Sequence, residues 1–375
     1  MTQATPPTDF TMQRSSRDVG ALKERLEAWL ATQLPDGAAP QVTFHAGIDT
    51  NGMSSETVVL DVAWTEGGQE HIGEYVARVA PTAEDIPVFQ VYDLRAQFEV
   101  MRLVGELSDI PVPGVRWLEP TGDVIGSPFF LMDRVEGIVP PDVLPYNFGD
   151  NWLFDAAPEQ QRRLQESTVE VLARLHAIPD AERTLDFLVP DAPGDSLLER
   201  SLAKTRGWYE WASADLDRSP LVGRALTWLE ANLPATTENV PCWGDARIGN
   251  AMYVDFEPVA ILDWEMAGVG PRELDVSWLI FAHRVFESIA GVMGLPGMPE
   301  FLAEADVRTA YERVSDVELG DLTWFHLYNG VIWCIVFMRT GLRQIRFGEI
   351  ERPDDVETLF HCRPLIEQLL DEVGA

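Results

Sequence analysis

Lysine is almost missing from this 375-residue chain: Lys23 and Lys204 are the two, so nearly all of the 28 basic residues are arginine. Chemistry that needs an amine therefore has two candidates. Cysteine is scarce as well. Cys242, Cys334 and Cys362 are an odd number with no C-x-x-C pair, which argues against a disulfide framework and against a zinc cluster. The six histidines are scattered and form no H-E-x-x-H. Long apolar runs are missing too. The longest, Gly330 to Met338, stops at Arg339 and falls far short of the ~18 residues a membrane span requires. Met1 to Asp18 holds no apolar stretch of the kind a secretory signal needs. These gaps together lead us to expect a soluble, cytoplasmic protein.

What the chain has in excess is acid. Its 61 Asp and Glu give a formal net charge of −33, which opposes binding to a polyanion, so neither nucleic acid nor an anionic membrane is expected as a partner. Residues 1–137 and 138–375 are almost equally acidic per residue, so the charge reads as a solvated surface and not as one cationic-ligand site. At roughly 100–200 residues per domain, the length fits one large domain or two lobes.

The patterning divides the chain. Residues 1–15 are polar and rich in Pro and Thr, and are expected to form a disordered arm. From Ser16, Leu22, Leu26, Trp29 and Leu30 recur at helical spacing. Strand-like runs follow at Val42 to Gly47, Thr57 to Trp64, Glu74 to Val79, Gly114 to Glu119 and Phe129 to Val135, with one helix carrying Leu94, Phe98, Met101, Leu103 and Val104. Gly137, Pro140, Pro141 and Pro145 mark a crossover, beyond which the pattern is helical, its last two helices expected over Leu322 to Gly341 and Val356 to Val373, except for one short hairpin, Ala251 to Val254 and Val259 to Leu262. The expected fold class is α+β: a first unit of antiparallel strands over residues 16–136, a helical unit over 137–375, and a cleft between them.

The densest polar motif surrounds that hairpin. It reads Trp243-Gly244-Asp245-Ala246-Arg247-Ile248-Gly249-Asn250, then the hairpin, then Ile261-Leu262-Asp263-Trp264-Glu265. A hairpin of this length returns the chain to its start, which sets Asn250 beside Asp263. Their hard oxygens suit Mg²⁺. Asp245, five residues before Asn250, is placed to accept a proton from a substrate hydroxyl. Phosphoryl transfer asks for this division of labour.

The run Trp243 to Asp275, with its G-D-A-R-I-G-N and L-D-W-E-M-A-G-V-G-P-R-E-L-D strings, resembles the aminoglycoside phosphotransferase-like family of small-molecule kinases. It is also similar to the kinase-like domains fused to acyl-CoA dehydrogenases. The resemblance extends from about residue 40 to 365. It implies a two-lobed protein-kinase-like fold, with a small antiparallel β lobe that binds ATP and a larger helical lobe that carries the catalytic loop and the Mg²⁺ hairpin. Family members usually read H-G-D-x-x-x-x-N; here Trp243 replaces the histidine. The resemblance also places Ser54 and Ser55 in a phosphate-covering loop, and Arg78 where the family keeps a lysine on the α/β-phosphates. Glu99 takes the place of the carboxylate that orients that cation. Met132, Asp133 and Arg134 stand at a hinge whose main chain would meet the adenine. His176 reads as a satisfied core residue and Asp275 as a helix cap.

The implied partner is a small-molecule hydroxyl acceptor, and the residues say less about it. Trp208, Tyr209 and Trp211 share one helix, and Trp324, Tyr328, Trp333 and Phe337 another, at spacings that suit either a core or an apolar pocket. An aminoglycoside asks for clustered carboxylates; the sequence offers Glu265 and Glu210 near the cleft. Three readings stay open: an aminoglycoside-phosphotransferase-like kinase, a kinase of a hydroxyacyl-CoA or other apolar acceptor, and a non-catalytic nucleotide- or ligand-binding protein of the same fold. The oligomeric state is not legible.

Overall fold

The computed structural model describes residues 19–45, 56–81, 86–142, 145–235 and 238–375. The phosphate-loop expectation at Ser54 and Ser55, and the arm over residues 1–15, lie outside them.

The first lobe starts with helix α1 (Val19–Gln33) and a five-stranded antiparallel sheet in the order β1-β2-β3-β5-β4: β1 (Gln41–Phe44), β2 (Glu56–Glu66), β3 (Gln69–Val79), β4 (Val115–Glu119) and β5 (Phe129–Asp133). Gly67 and Gly68 both adopt positive φ, the conformation a two-residue hairpin turn requires, and so join β2 to β3 in full register. Alternation along the strands sends Val58, Leu60 and Val62 of β2, with Tyr75, Ala77 and Val79 of β3, to the face that α1 covers with Leu26 and Leu30. On the opposite face lies α2 (Leu94–Leu107), capped by Asp93 Oδ1, which accepts from Ala96 N at 2.9 Å. Its Val100, Met101 and Val104 join Phe130 of β5 in the larger core.

The second lobe is helical: α3 (Pro158–His176), the single turn α4 (Ala181–Thr184), α5 (Leu197–Ala212), α6 (Pro220–Ala231), α7 (Glu273–Val292), α8 (Glu304–Ser315), α9 (Thr323–Arg346) and α10 (Arg363–Glu372). Between α6 and α7 run two small sheets, β6 (Val240–Cys242) with β9 (Gly268–Gly270), and β7 (Ala251–Val254) with β8 (Glu257–Ile261). Asp255 and Phe256 take positive φ and close the second pair as a tight hairpin.

The two lobes meet at defined places. The crossover is pinned to the hairpin by Ile138 N donating to Tyr253 O at 3.0 Å and Tyr253 N donating to Ile138 O at 2.8 Å. The segment ahead of α2 reaches down to the helices: Trp208 Nε1 donates to Val88 O at 3.0 Å and Arg339 Nε to Pro87 O at 3.0 Å.

Two expected boundaries differ. α9 continues through Gly341, which sits so close to Leu359 that a side chain there would collide with it; the glycine permits packing and does not end the helix. The expected final helix from Val356 splits into a single turn over Val356–Leu359 and α10, because Pro364 has no N–H to continue a helix and instead starts a new one.

Candidate active site

The segment between β6 and β7 carries Asp245 and Asn250, and the segment after β8 carries Asp263. Closure of the hairpin joins them as the spacing predicted: Leu262 N donates to Asn250 O at 2.8 Å, so Asp263 leaves the hairpin beside Asn250. Asn250 Nδ2 donates to the Asp245 carbonyl at 3.0 Å. This bond ties together the two ends of the loop between β6 and β7, and the carboxamide oxygen has no hydrogen-bond partner among the described residues. Asp263 adopts left-handed backbone at φ 59°, ψ 63°, a conformation that Asp tolerates better than most residues.

The loop is braced from below. Asp275, fully buried, accepts from Trp243 N at 2.6 Å and from Gly244 N at 2.8 Å. His176 Nε2 lies 3.2 Å from the same carboxylate, and His176 Nδ1 lies 2.8 Å from Tyr311 Oη. Asp275 is therefore not a helix cap: α7 begins two residues earlier, and the carboxylate is spent on the loop between β6 and β7. Gly244 sits at φ +89° with the Met266 carbonyl where a Cβ would be, so no other residue fits this turn. Trp243, completely buried, closes the frame by donating Nε1 to Leu262 O at 2.8 Å. The indole thus links the loop between β6 and β7 to the residue that precedes Asp263.

Asp245 Oδ1 accepts from Trp278 Nε1 at 2.8 Å, and Arg247 Nε lies 3.0 and 3.1 Å from its two oxygens. Arg247 also pairs with Asp142. Burial alone would lower the Arg247 pKa, but the Asp245 and Asp142 carboxylates raise it, so it stays charged. Burial raises the Asp263 carboxyl above its ordinary range, Arg78 opposes the shift, and the neighbouring Asp245 adds to it.

Arg78, on β3, reaches across the cleft. Its Nη2 donates to Asp263 Oδ1 at 2.6 Å and to Glu265 Oε2 at 3.2 Å. Burial disfavours its charge and these two carboxylates restore it, so that its pKa is raised overall. The expected Arg78–Glu99 pair does not occur in this structure. Glu99 accepts from Arg102 Nε at 3.0 Å, three residues further along α2, and Glu265 takes the place beside Arg78. The hinge differs in detail as well. Asp133 N donates to Gly114 O at 2.8 Å and Arg134 N to Glu74 O at 3.1 Å, so both donors are already engaged in the sheet. The Asp133 side chain is held by Arg116 at 2.7 Å. Met132 lies within β5, paired with Val76 and Val115. The next main-chain N–H after these, on Val135, has no hydrogen-bond partner among the described residues.

Among the described residues no group of three or more His, Cys, Asp or Glu is arranged to hold a metal ion, so a cage made of protein alone is not present there. Mg²⁺ in phosphoryl-transfer sites uses one or two side chains and completes its shell with water and phosphate. Asp263, the free carboxamide oxygen of Asn250 and the nearby Asp245 charge fit that smaller demand.

A sequence profile describing the phosphotransferase enzyme family (APH) matches residues 59–304, well over half of the chain. The chain belongs to the phosphotransferase enzyme family. In an alignment 277 positions long that covers 68% of this chain, it is 26% identical to an Arabidopsis thaliana protein assigned as an acyl-CoA dehydrogenase (IBR3), of which it spans 31%. A solved structure from Ralstonia eutropha JMP134, provisionally classed as an aminoglycoside phosphotransferase, superimposes with TM-score 0.64 at 19% identity over 94% of this chain and 98% of that one. A second, a thermostable variant of aminoglycoside phosphotransferase APH(4)-Ia in ternary complex with ADP and hygromycin B, gives TM-score 0.51 at 14% identity over 91% of this chain and 98% of that one. These neighbours share the kinase-like fold. Among the described residues no helix is long and apolar enough to cross a membrane.

Three side chains around this site escaped the sequence reading, Trp278, Asp142 and Arg247 as a partner of Asp245, whereas His176 is the satisfied core residue that was expected, buried with both ring nitrogens partnered. Asp275 lay inside the quoted string, but its place near a helix start suggested a cap. Asp142 carried no signal, since its role depends on a crossover folding against a loop 105 residues away.

Proposed function

We propose that this chain transfers the γ-phosphoryl group of Mg·ATP to the hydroxyl of a small molecule. The observation that carries the reading is the convergence of Asp245, Asn250 and Asp263 at the two ends of one hairpin, opposite the Arg78 guanidinium from the other lobe. In this reading Asp245 orients the acceptor hydroxyl and takes its proton. Asn250 and Asp263 hold Mg²⁺, which when bound neutralises phosphate oxygens. Arg78 turns from Asp263 to the phosphates, with Glu265 retained as its anchor. Val135 offers a free main-chain donor for the adenine. Such a site works mainly by positioning and electrostatics.

A second reading concerns the acceptor. Helix α9 contains no Asp or Glu in a chain with 61 of them, and carries Arg339, Arg343 and Arg346. Trp208, Trp211, Trp333 and Phe337 are only partly buried on α5 and α9, whereas Tyr209, Trp324 and Tyr328 belong to the core. The partly exposed aromatics and the lack of acid on α9 favour an apolar acceptor, such as a hydroxyacyl thioester, over a polycationic aminoglycoside. The acyl-CoA dehydrogenase relative is consistent with that choice. The non-catalytic reading is disfavoured because Trp243 preserves the loop frame around a complete set of polar residues.

Calorimetric titration with ATP, with and without Mg²⁺, tests the nucleotide site. The wild type is expected to bind Mg·ATP at least about tenfold more tightly than Asp263→Ala, a difference of about 1.4 kcal/mol. Equal affinities remove Asp263 from the metal site.

A further inference from the structure

Arg247 lies on the carboxylate that the proposed reaction needs uncovered. Its Nε approaches both oxygens of Asp245, at 3.0 and 3.1 Å, while its Nη1 donates to Asp142 Oδ2. One guanidinium is thus divided between two carboxylates on different segments. Asp142 belongs to the crossover after the hinge, and its second oxygen, Oδ1, is sealed from solvent and accepts no hydrogen bond from the described residues. A buried acceptor left empty beside a cation is uncommon and calls for a reason. Oδ1 packs against Gly249, where any Cβ would run into it, so the glycine is what lets the carboxylate sit this close to the catalytic loop.

A guanidinium presents paired N–H groups in a planar fork that matches both oxygens of one carboxylate. Rotation of the Arg247 head group from its shared position onto both oxygens of Asp142 fills the empty acceptor. The same rotation strips Arg247 from Asp245, which keeps its bond from Trp278. The structure therefore contains a covered base and, next to it, an incompletely filled seat for the cover.

We infer that Asp142 is a positioning residue that draws Arg247 off Asp245 when an acceptor hydroxyl arrives, and that Arg247 otherwise shields the base from water. The inference rests on the phosphotransfer reading. In the uncovered state the acceptor O–H gives its proton to the Asp245 carboxylate as the oxygen forms its bond to the γ-phosphorus. The bond from that phosphorus to the β–γ bridging oxygen breaks, and its electron pair leaves with ADP. With Arg247 in place, a water molecule cannot use the same base, which limits loss of ATP by hydrolysis.

The test needs no knowledge of the acceptor, because water serves as the probe. ADP release from Mg·ATP without acceptor is measured for the wild type, Asp142→Asn, Arg247→Gln, the double variant and Asp245→Asn. Arg247→Gln is expected to raise this hydrolysis several-fold. Asp142→Asn, isosteric but uncharged, leaves Arg247 on the base and is expected to lower it about tenfold, part of the ~10²–10⁴ that a general base contributes. The double variant is expected to match Arg247→Gln, because Asp142 matters only through Arg247; a purely structural Asp142 instead makes the double variant worse than either single change. Hydrolysis in Arg247→Gln at or below the wild-type rate overturns the proposal, as does Asp142→Asn behaving like wild type. If wild-type hydrolysis is present and unaffected by Asp245→Asn, the assignment of Asp245 as base falls and this inference falls with it.

Discussion

Removing the Asp275 carboxylate should loosen the loop between β6 and β7 more than any change at its surface. Asp275 is fully buried, accepts main-chain N–H bonds at 2.6 and 2.8 Å from Trp243 and Gly244, and faces His176 at 3.2 Å. Each hydrogen bond to a charged group contributes about 1.5–3 kcal/mol, and a buried donor left unpaired costs a similar amount. Asp275→Ala strands two main-chain donors and leaves a small cavity, so about 3–6 kcal/mol is expected. That is a large share of the ~5–15 kcal/mol that holds a typical protein folded. Asp275→Asn keeps one acceptor but turns an NH₂ toward a donor, for a loss of about 2 kcal/mol. The two variants should therefore rank Ala below Asn below wild type in urea midpoint with unchanged slope. On the proposed reading, turnover in the Asn variant should fall by about 100-fold, because a displacement of about 1 Å at Asp245 is costly, whereas Mg·ATP affinity, which that reading assigns to Asp263 and Arg78, should hold. An Asp275→Ala protein with wild-type midpoint and turnover within twofold refutes the bracing role.

Two further outcomes follow from buried side chains. His283, between Tyr146 Oη at 2.9 Å and the Met298 carbonyl at 3.1 Å, has its pKa lowered below the ordinary 6.5 because burial disfavours its charge. The unfolded chain then takes up this proton first, so the penalty is absent above pH 6.5 and grows as the pH falls through the interval down to the folded-state value. His283→Gln should flatten the stability profile below pH 6.5, measured by urea midpoint against pH, and an unchanged slope contradicts the assignment. Trp243→His, which restores the residue usual in the family, should destabilise this chain by about 2–4 kcal/mol, since a fully buried indole and its bond to Leu262 O are lost. A histidine variant as stable as wild type shows that the loop frame does not depend on the indole.

Much of the fold was legible because its signals are local. The alternation in β2 and β3, the Gly67-Gly68 turn and the apolar faces of α3 and α5 each depend on residues within a dozen positions. The core of the site was legible for the same reason: Asp245, Asn250 and Asp263 are joined by one hairpin whose length predicts their proximity. What was missed depends on contacts across the chain. Arg78 meets Asp263 and Glu265 across 185 and 187 positions, and neither spacing nor composition distinguishes Glu265 from Glu99 as its partner. The stretch of α9 beyond Gly341 was not legible, because a glycine reads as a terminator unless its close neighbour, here Leu359, is known. Asp142 and Trp278 are ordinary residues in sequence and acquire meaning only where the loop between β6 and β7 folds against them.

The central claim is that Asp245 is the base of a phosphotransferase, and the most direct measurement is Mg·ATP-dependent ADP release against a mixed acceptor panel, with Asp245→Asn beside the wild type. The panel includes aminoglycosides, macrolides, simple amino alcohols and hydroxyacyl-CoA thioesters. The expected result is stimulation by one acceptor class, most readily an apolar one, with turnover lowered by about 10²–10⁴ in the variant while ATP still binds. Stimulated release that survives unchanged in Asp245→Asn contradicts the account.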